Sequence, residues 1–165
     1  MNEITINLEN LTNTEIGQIL ALAEKANKSK TWKPKDNEDY YVIFSCGDIN
    51  CMAWYNDGFD NDRYALGNCF KTQEEAEWAV EYLKVKAELQ RFADEHNTEP
   101  IDWNNKKQFK YMIGYKAFSN SVCVNSYILN KFAGTDYFTS EEIAQQAIDY
   151  IGEERLKKYY FRVEE

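Results

Sequence analysis

Apolar residues follow two patterns along this chain, one typical of strands and one of helices. Strict alternation occurs at residues 4–8, and compact runs of aromatic and β-branched residues occur in two pairs, 40–44 with 49–55 and 109–115 with 122–129. Turn-forming residues separate the two members of each pair. Because alternation and such runs favour strands, we predict an N-terminal strand followed by two antiparallel hairpins.

Between and after these strands, the apolar spacing changes to three and four residues, which predicts helices. Capping boxes at 12–15 (TNTE) and 72–75 (TQEE) begin the first two helices, since the threonine hydroxyl accepts from a helical amide while the glutamate reaches back. The second helix is predicted over residues 73–96. Ser140 caps the third helix, and Gly152 ends it. A wide apolar stripe is expected on the second helix, with Ala76, Val80, Leu83 and Ala87 on one face and Tyr82, Val85, Leu89 and Phe92 beside it.

One segment of the chain occurs twice, at a constant offset of 68 residues. Residues 70–83 read FKTQEEAEWAVEYL, and residues 138–151 read FTSEEIAQQAIDYI. Each matched pair is a helix-start residue or a core-type residue, so the repeat specifies an architecture. We predict an α+β fold with an N-terminal strand and helix (1–30) and two tandem β-meander-plus-helix units, 31–97 and 98–165, in one compact domain.

The chain is acidic, and its charge is uneven. Its 165 residues carry a net charge of -9, with 15% aromatic residues that argue for a packed fold. Residues 1–96 contain 10 Lys+Arg and 18 Asp+Glu, whereas residues 97–165 contain 9 and 10. This balance disfavours direct nucleic-acid binding and suits a basic protein groove instead. The alternative interpretation is that the acidic residues only keep a small protein soluble.

Sequence features that would indicate export or a zinc site are not found. No apolar run approaches about 18 residues, and no basic stretch precedes an apolar run at the N-terminus, so we expect neither a membrane span nor a signal peptide. The cysteines at 46, 51, 69 and 123 and the single His96 lack the spacing of zinc ligands. We expect reduced thiols in a cytoplasmic protein. Cys46 and Cys51 could face each other across a hairpin, and the sequence does not decide whether they form a disulfide.

The candidate functional site is an acidic segment beside aromatic strands. Residues 56–62 predict a polar loop rich in turn formers, and residues 63–66 predict a third short strand. The carboxylates of the loop do not follow the spacing of a calcium loop, so no metal is expected. Exposed Tyr and Trp side chains are typical anchors of protein interfaces. The predicted partner-binding residues are Tyr40, Trp54, Tyr55, Asp57, Asp60 and Asp62.

Catalysis and cofactor binding are not expected. His96 has no fixed acidic or nucleophilic partner in the sequence, and no phosphate-cradling glycine loop or dinucleotide fingerprint occurs. The glutamate pairs at 74–75 and 141–142 lie in first helical turns. Capping and the helix dipole explain them there.

Five segments of the chain carry a resemblance to a known family. They are WKP at 32–34, GNCFKTQEEAE at 67–77, IDWN at 101–104, YFTSEE at 137–142 and IGEERLKKYYF at 151–161. With these segments the chain resembles a family of small proteins of phages and prophages of Gram-positive bacteria. The resemblance covers nearly the whole chain and marks fold positions, so it implies no catalytic residue. It implies an accessory protein that acts in the cytoplasm of a host bacterium.

Small acidic accessory proteins of phages include inhibitors of host defence, anti-CRISPR proteins among them. By that analogy, we expect a non-enzymatic inhibitor that binds a basic surface of a nucleic-acid-processing effector, such as a CRISPR nuclease, through its acidic, Tyr-rich face. Two alternatives stay open. One is a module that sequesters a nucleotide or another small ligand between the repeats, and the other is a structural or regulatory homodimer.

Overall fold

A computed structural model describes residues 11–27 and 32–163 of the chain, with side-chain environments for 11–20 and 32–163. The strand predicted at 4–8 lies outside the described residues. The described part has a mixed α+β fold, with two separate antiparallel sheets of two strands each. Within it, no helix is both long and apolar enough to cross a membrane.

The helices and strands follow one another in the order that the sequence predicts, except that the helix α2 takes the place of the third short strand and the short helix α5 follows α4. They are α1 (Asn13–Asn27), β1 (Asp39–Ile43), β2 (Ile49–Ala53), α2 (Gly58–Ala65), α3 (Gln73–His96), β3 (Lys110–Lys116), β4 (Ser121–Tyr127), α4 (Glu141–Ile151) and α5 (Glu153–Arg155). A 3₁₀ turn joins β3 to β4, and a π-helical turn, Leu156–Tyr160, follows α5.

The helix caps confirm most of the predicted boundaries. In the first capping box, the Glu15 amide donates to Thr12 Oγ1 over 3.3 Å, and the Thr12 amide donates to Glu15 Oε2 over 2.9 Å. In the second box, Thr72 accepts from the Glu75 amide at 3.2 Å. The Glu75 carboxylate, however, accepts from the amide of Lys71 at 2.9 Å, one residue before the expected donor. Both threonines therefore act as N-caps, and both helices begin where predicted.

In the first hairpin, β1 pairs with β2 around a turn that contains Gly47 at φ +87°. On its other edge, Tyr41 exchanges two backbone hydrogen bonds of 2.9 Å with Phe70. The side chain of Asn68 adds one bond to the amide and one to the carbonyl of Ile43, each 2.8 Å. The third strand predicted at 63–66 is wrong, because these residues belong to the end of α2 and the turn after it.

The second hairpin has longer strands, and like the first it has a phenylalanine paired with a tyrosine on its free edge. Strands β3 and β4 pair over seven residues each. Tyr111 exchanges backbone hydrogen bonds of 2.9 and 2.8 Å with Phe138. Phe70 and Phe138, the first residues of the repeated segment, thus each bridge to a tyrosine in the preceding hairpin.

The larger apolar core lies between α3, α4 and the second hairpin, and a smaller one lies in the first hairpin. The buried residues of α3 are Ala76, Val85, Leu89, Phe92 and Ala93. Leu83, which was expected on the buried face, is 56% exposed. It stands two positions from Val85, which places it on nearly the opposite side of a helix with 3.6 residues per turn. The predicted face was therefore rotated too far toward Leu83.

The four cysteines are free thiols. Cys51 lies in β2 opposite Tyr41, whereas Cys46 lies in the turn between the strands. The two residues therefore do not face each other across the hairpin, and they form no disulfide.

Candidate functional site

The structure divides the six predicted partner-binding residues into two groups. Tyr40, Trp54 and Asp60 are buried, with no more than 3% of their surface exposed. The expectation that they form part of an exposed face is wrong, because Asp60 lies on the inner side of α2, which packs against Tyr40 and Trp54. Tyr55, by contrast, is 65% exposed, and Asp57 and Asp62 are also exposed. Whether these three residues bind a partner stays a prediction.

The first turn of α2 explains why the predicted loop at 56–62 is wrong. Asp57 is the N-cap of α2, and its Oδ1 accepts from the amide of Asp60 over 2.9 Å. Asn56 lies in the left-handed region at φ +56° and accepts at its carbonyl from the side-chain amide of Asn61 over 3.1 Å. Turn-forming residues therefore begin a helix here, since Asn and Asp satisfy free helical amides as readily as they form turns.

Asp60 is the centre of a buried polar network under α2. Its Oδ1 accepts from the Tyr40 hydroxyl at 2.7 Å, and its Oδ2 accepts from the Tyr55 amide at 2.7 Å. Arg63 donates to the same Tyr40 hydroxyl over 2.8 Å. Burial raises the pKa of Asp60, but the hydrogen bonds from Tyr40 and Tyr55 outweigh burial and hold the pKa below its usual value. Asp60 is thus an anion that joins β1, β2 and α2.

An aromatic cluster supports α2 beside this network. Trp54 contacts Tyr40 and Tyr64 edge-on, with ring centroids 5.7 and 6.3 Å apart. The Lys33 ammonium lies 5.0 Å from the Trp54 ring centroid and donates to Asn61 Oδ1 over 3.2 Å. Such cation–π contacts contribute on the order of 1 kcal/mol each. The buried aromatics therefore support the helix and are not available as anchors for a partner.

The exposed side of α2 carries apolar side chains that sequence reasoning missed. Phe59 is 73% exposed and Leu66 is 84% exposed. Together with Asp62 they are spaced by three and four residues, so they lie on one side of the helix. We define the α2 surface by five residues that lie on or beside this helix: Tyr55, Asp57, Phe59, Asp62 and Leu66. The spacing of 59, 62 and 66 behind the cap at Asp57 was the signal that could have found it.

The remaining reactive side chains have structural explanations. Burial raises the pKa of the Cys69 thiol to about 11, so this thiol stays protonated near neutral pH. His96 stacks on Phe92 with ring centroids 3.9 Å apart, and its Nδ1 lies 2.9 Å from the Phe92 carbonyl oxygen. In the part of the chain that the structure describes, no group of three or more His, Cys, Asp or Glu side chains is placed to hold a metal ion.

No family model, curated protein or solved structure matches the chain. Its function must therefore be inferred from its own residues. The α2 surface is acidic, carries exposed apolar side chains and rests on a buried network.

Proposed function

We propose that this protein is a non-enzymatic inhibitor that binds a basic surface of a nucleic-acid-processing protein through its α2 surface. The observation that carries the proposal is the exposure of Phe59 and Leu66 on the same short helical segment as the exposed carboxylates of Asp57 and Asp62. Clustered exposed apolar side chains mark interaction sites, and aromatic anchors contribute most of the binding energy in many interfaces. The resemblance to phage proteins directs the search for the partner to host defence proteins, CRISPR effector nucleases first.

The charge of the α2 surface supports a basic partner. Neither Asp57 nor Asp62 forms a salt bridge within the described residues. Lys33 lies against Trp54, and Arg63 donates to the Tyr40 hydroxyl. The two carboxylates therefore keep their negative charge available to a partner. Complementary charges of this kind accelerate association and select the partner.

The network under α2 supports tight binding by limiting the entropy lost. Asp60 links the helix to Tyr40 and to the Tyr55 backbone, so the apolar anchors sit on a helix that is already ordered. Ordering a mobile side chain at an interface costs roughly 0.5–1.5 kcal/mol. A supported helix avoids the larger cost of ordering its backbone on binding.

We further propose that the hairpins and helices form two tandem copies of one unit. In support, each hairpin is followed by a bridge to Phe70 or Phe138, then by a hydroxyl N-cap, then by α3 or α4. The helix α2 lies between β2 and Phe70 in the first unit. The corresponding connection in the second unit, residues 128–137, all of them described, contains no helix. The α2 surface is then an addition to one copy only, as expected of a feature with its own role.

The test is direct binding to purified nucleic-acid-processing effectors, beginning with CRISPR nucleases. Binding would be measured by biolayer interferometry from about 50 to 500 mM salt, and DNA cleavage would be followed in parallel. We expect binding that weakens with salt and a loss of cleavage. The double variant Asp57→Asn/Asp62→Lys, in which the new asparagine can still cap α2, and the double variant Phe59→Ser/Leu66→Ser should each weaken binding at least tenfold, about 1.4 kcal/mol.

The matched control is Phe118→Ser, which removes an exposed phenylalanine from the turn between β3 and β4. It should bind like the wild type. Binding that does not depend on salt, or no binding to any defence nuclease, would refute the proposal. Light scattering of the same samples tests the homodimer alternative. If the wild type has the molar mass of a dimer and the Phe59→Ser/Leu66→Ser variant has that of a monomer, the α2 surface serves self-association.

A further inference from the structure

The strand β2 has one edge on which no strand pairs within the described residues. In that part of the chain, the first sheet consists of β1 and β2 alone, and β1 lies on one side of β2 only. Cys51, in the middle of β2, is exposed, and Ile49 and Ala53 at its two ends are partly exposed. The edge is five residues long, about 17 Å at the usual rise of a strand. An open edge of this kind is a template for the addition of a further strand.

The hydrogen bonds of β1 show which backbone groups of β2 point outward. In an antiparallel pair, opposite residues alternate between exchanging hydrogen bonds and directing them away from each other. Tyr41 directs its amide and carbonyl to Phe70, on the side of β1 away from β2. Its partner Cys51 therefore directs its own amide and carbonyl away from β1, and the same alternation applies to Ile49 and Ala53. No backbone group elsewhere in the described chain bonds these three residues, so the edge presents a row of free donors and acceptors.

The strand β2 also lacks the features that usually protect an edge. Proteins protect exposed edges with charged side chains, particularly Lys, with Pro, or with bulges. The sequence of β2 is INCMA, which contains neither a charged residue nor Pro, and its pairing with β1 is regular over all five residues. The edge is therefore open to strand addition, the mode by which several domains bind extended peptides.

The charge around this edge selects the kind of strand that it accepts. Residues 33–62 contain two Lys, no Arg or His, and seven Asp+Glu, so their net charge is -5. Asp48 immediately precedes β2, and Asp39 lies opposite Ala53 at the other end of the strand. Both carboxylates belong to exposed residues, and neither forms a salt bridge within the described residues. A strand with basic side chains at its ends is the complementary occupant.

We propose that the open edge of β2 binds an extended basic segment of a partner protein as an additional antiparallel strand. The main chain of that segment exchanges hydrogen bonds with Ile49, Cys51 and Ala53, and its basic side chains lie toward Asp48 at one end and Asp39 at the other. The main-chain bonds supply affinity for an extended chain, and the carboxylates select a basic one. This edge goes beyond the proposed inhibitor function and does not depend on it, since it uses none of the five residues of the α2 surface.

The experiment measures the binding of short fluorescent peptides to the purified full chain by fluorescence anisotropy. The basic probe is RKTVTVTKR, in which β-branched residues favour a strand and basic residues occupy both ends. The acidic control is EETVTVTEE. A third peptide has the basic sequence with N-methyl groups on its threonine and valine amides, which removes the main-chain donors that strand pairing needs. We expect the basic probe to bind roughly tenfold tighter than either control, or more.

Substitutions at Cys51 separate the role of the backbone from that of the side chain. Cys51→Pro removes the outward amide but leaves the hydrogen bonds between β1 and β2, because those come from the residues on either side. It should weaken the basic probe roughly tenfold. Cys51→Thr keeps the amide and favours a strand, so it is the matched control and should bind like the wild type. Asp48→Asn should weaken the basic probe about threefold, the usual contribution of an exposed charge pair.

Three results would overturn the proposal. They are no binding of the basic probe at about 1 mM, equal binding of the acidic or the N-methylated peptide, and equal weakening by Cys51→Pro and Cys51→Thr. If Asp57→Asn/Asp62→Lys removes the probe while Cys51→Pro does not, the probe binds the α2 surface and the proposal fails. The nuclease-binding test uses neither the peptides nor the Cys51 variants, so either proposal can fail alone.

Amide hydrogen exchange of the wild-type protein gives a test that does not depend on the folding of any variant. The Cys51 amide should exchange fast in the free protein and slowly with the basic probe bound, while exchange in α4 stays unchanged. Slow exchange at Cys51 in the free protein would show that another segment or a second copy of the chain already covers the edge. Exchange at Cys51 that the probe does not slow would place the probe elsewhere. Either result overturns the proposal.

Discussion

Replacing Asp60 with alanine tests the buried network most directly. The substitution leaves the Tyr40 hydroxyl and the Tyr55 amide without their acceptor and leaves Arg63 without its anionic neighbour, which lies 3.8 Å away. Each unsatisfied buried group costs about 1–3 kcal/mol, and removing one partner of a buried ion pair costs about 3–5 kcal/mol in total. We therefore expect Asp60→Ala to lower the free energy of unfolding by about 3–5 kcal/mol, a large part of the stability of an ordinary domain.

The measurement is urea denaturation at pH 7, combined with amide hydrogen exchange. Because the first hairpin has its own small core of Tyr40, Val42 and Trp54, exchange should increase there and in α2 before it increases in α4. Asp62→Ala removes an exposed carboxylate two residues away and should change stability by no more than about 0.5 kcal/mol. A loss below about 1 kcal/mol for Asp60→Ala, or an equal loss for both variants, would refute the role given to the network.

The same network predicts a dependence on pH. The pKa of Asp60 in the folded protein lies below its value in the unfolded chain, about 3.9. Its contribution is therefore fully present above that unfolded value and is lost as the pH falls through the folded pKa. The difference in stability between wild type and Asp60→Ala should thus be constant from about pH 5 to 7 and should shrink below about pH 4. A difference that stays constant to about pH 2 would show that the carboxylate charge is not what stabilises the hairpin.

Two further predictions concern the cores and the thiols. Leu89→Ala should destabilise the protein by about 2–5 kcal/mol in urea denaturation, because Leu89 is fully buried. Leu83→Ala should lower stability by no more than about 0.5 kcal/mol, because Leu83 is exposed. Comparable losses for the two variants would contradict the observed orientation of α3. Iodoacetamide at about pH 8 should alkylate the exposed Cys46 much faster than Cys69, since the raised pKa of about 11 keeps the Cys69 thiol protonated. Mass spectrometry of partly alkylated protein measures this order, and equal rates would contradict the burial of Cys69.

The limits of α3 could be read from the sequence, because the features that set them are local. Thr72 supplies a hydroxyl cap, and the helix ends at His96, as the sequence predicts. Neither feature depends on what the helix packs against. Its buried face was less predictable, since α3 contacts the first hairpin, α4 and the turn at Leu156–Tyr160, and a wide apolar stripe does not show which neighbour covers which residue.

The helix α2 was harder to predict, because its only local signals are a cap at Asp57 and three spaced residues. It is eight residues long, shorter than the roughly 12–15 residues that an isolated helix needs for stability. Its stability comes from the tertiary contacts of Asp60 with Tyr40 and of Trp54 with Tyr64. Local patterns therefore indicated a loop. Because these tertiary contacts are not visible in the sequence, Tyr40, Trp54 and Asp60 were also predicted to be exposed.

The amide of Asn68 has a consequence for how copies of this chain meet each other. The Asn68 side chain forms hydrogen bonds with the backbone amide and carbonyl of Ile43, and the Phe70 backbone does the same with Tyr41. These two residues therefore occupy the edge of β1 on which another strand would pair. Unpaired edges are the templates on which chains aggregate strand by strand. The β1 edge is closed against such addition, and accidental sheet extension in the first hairpin is directed to the opposite edge, along β2, where Asn50 and Cys51 are exposed.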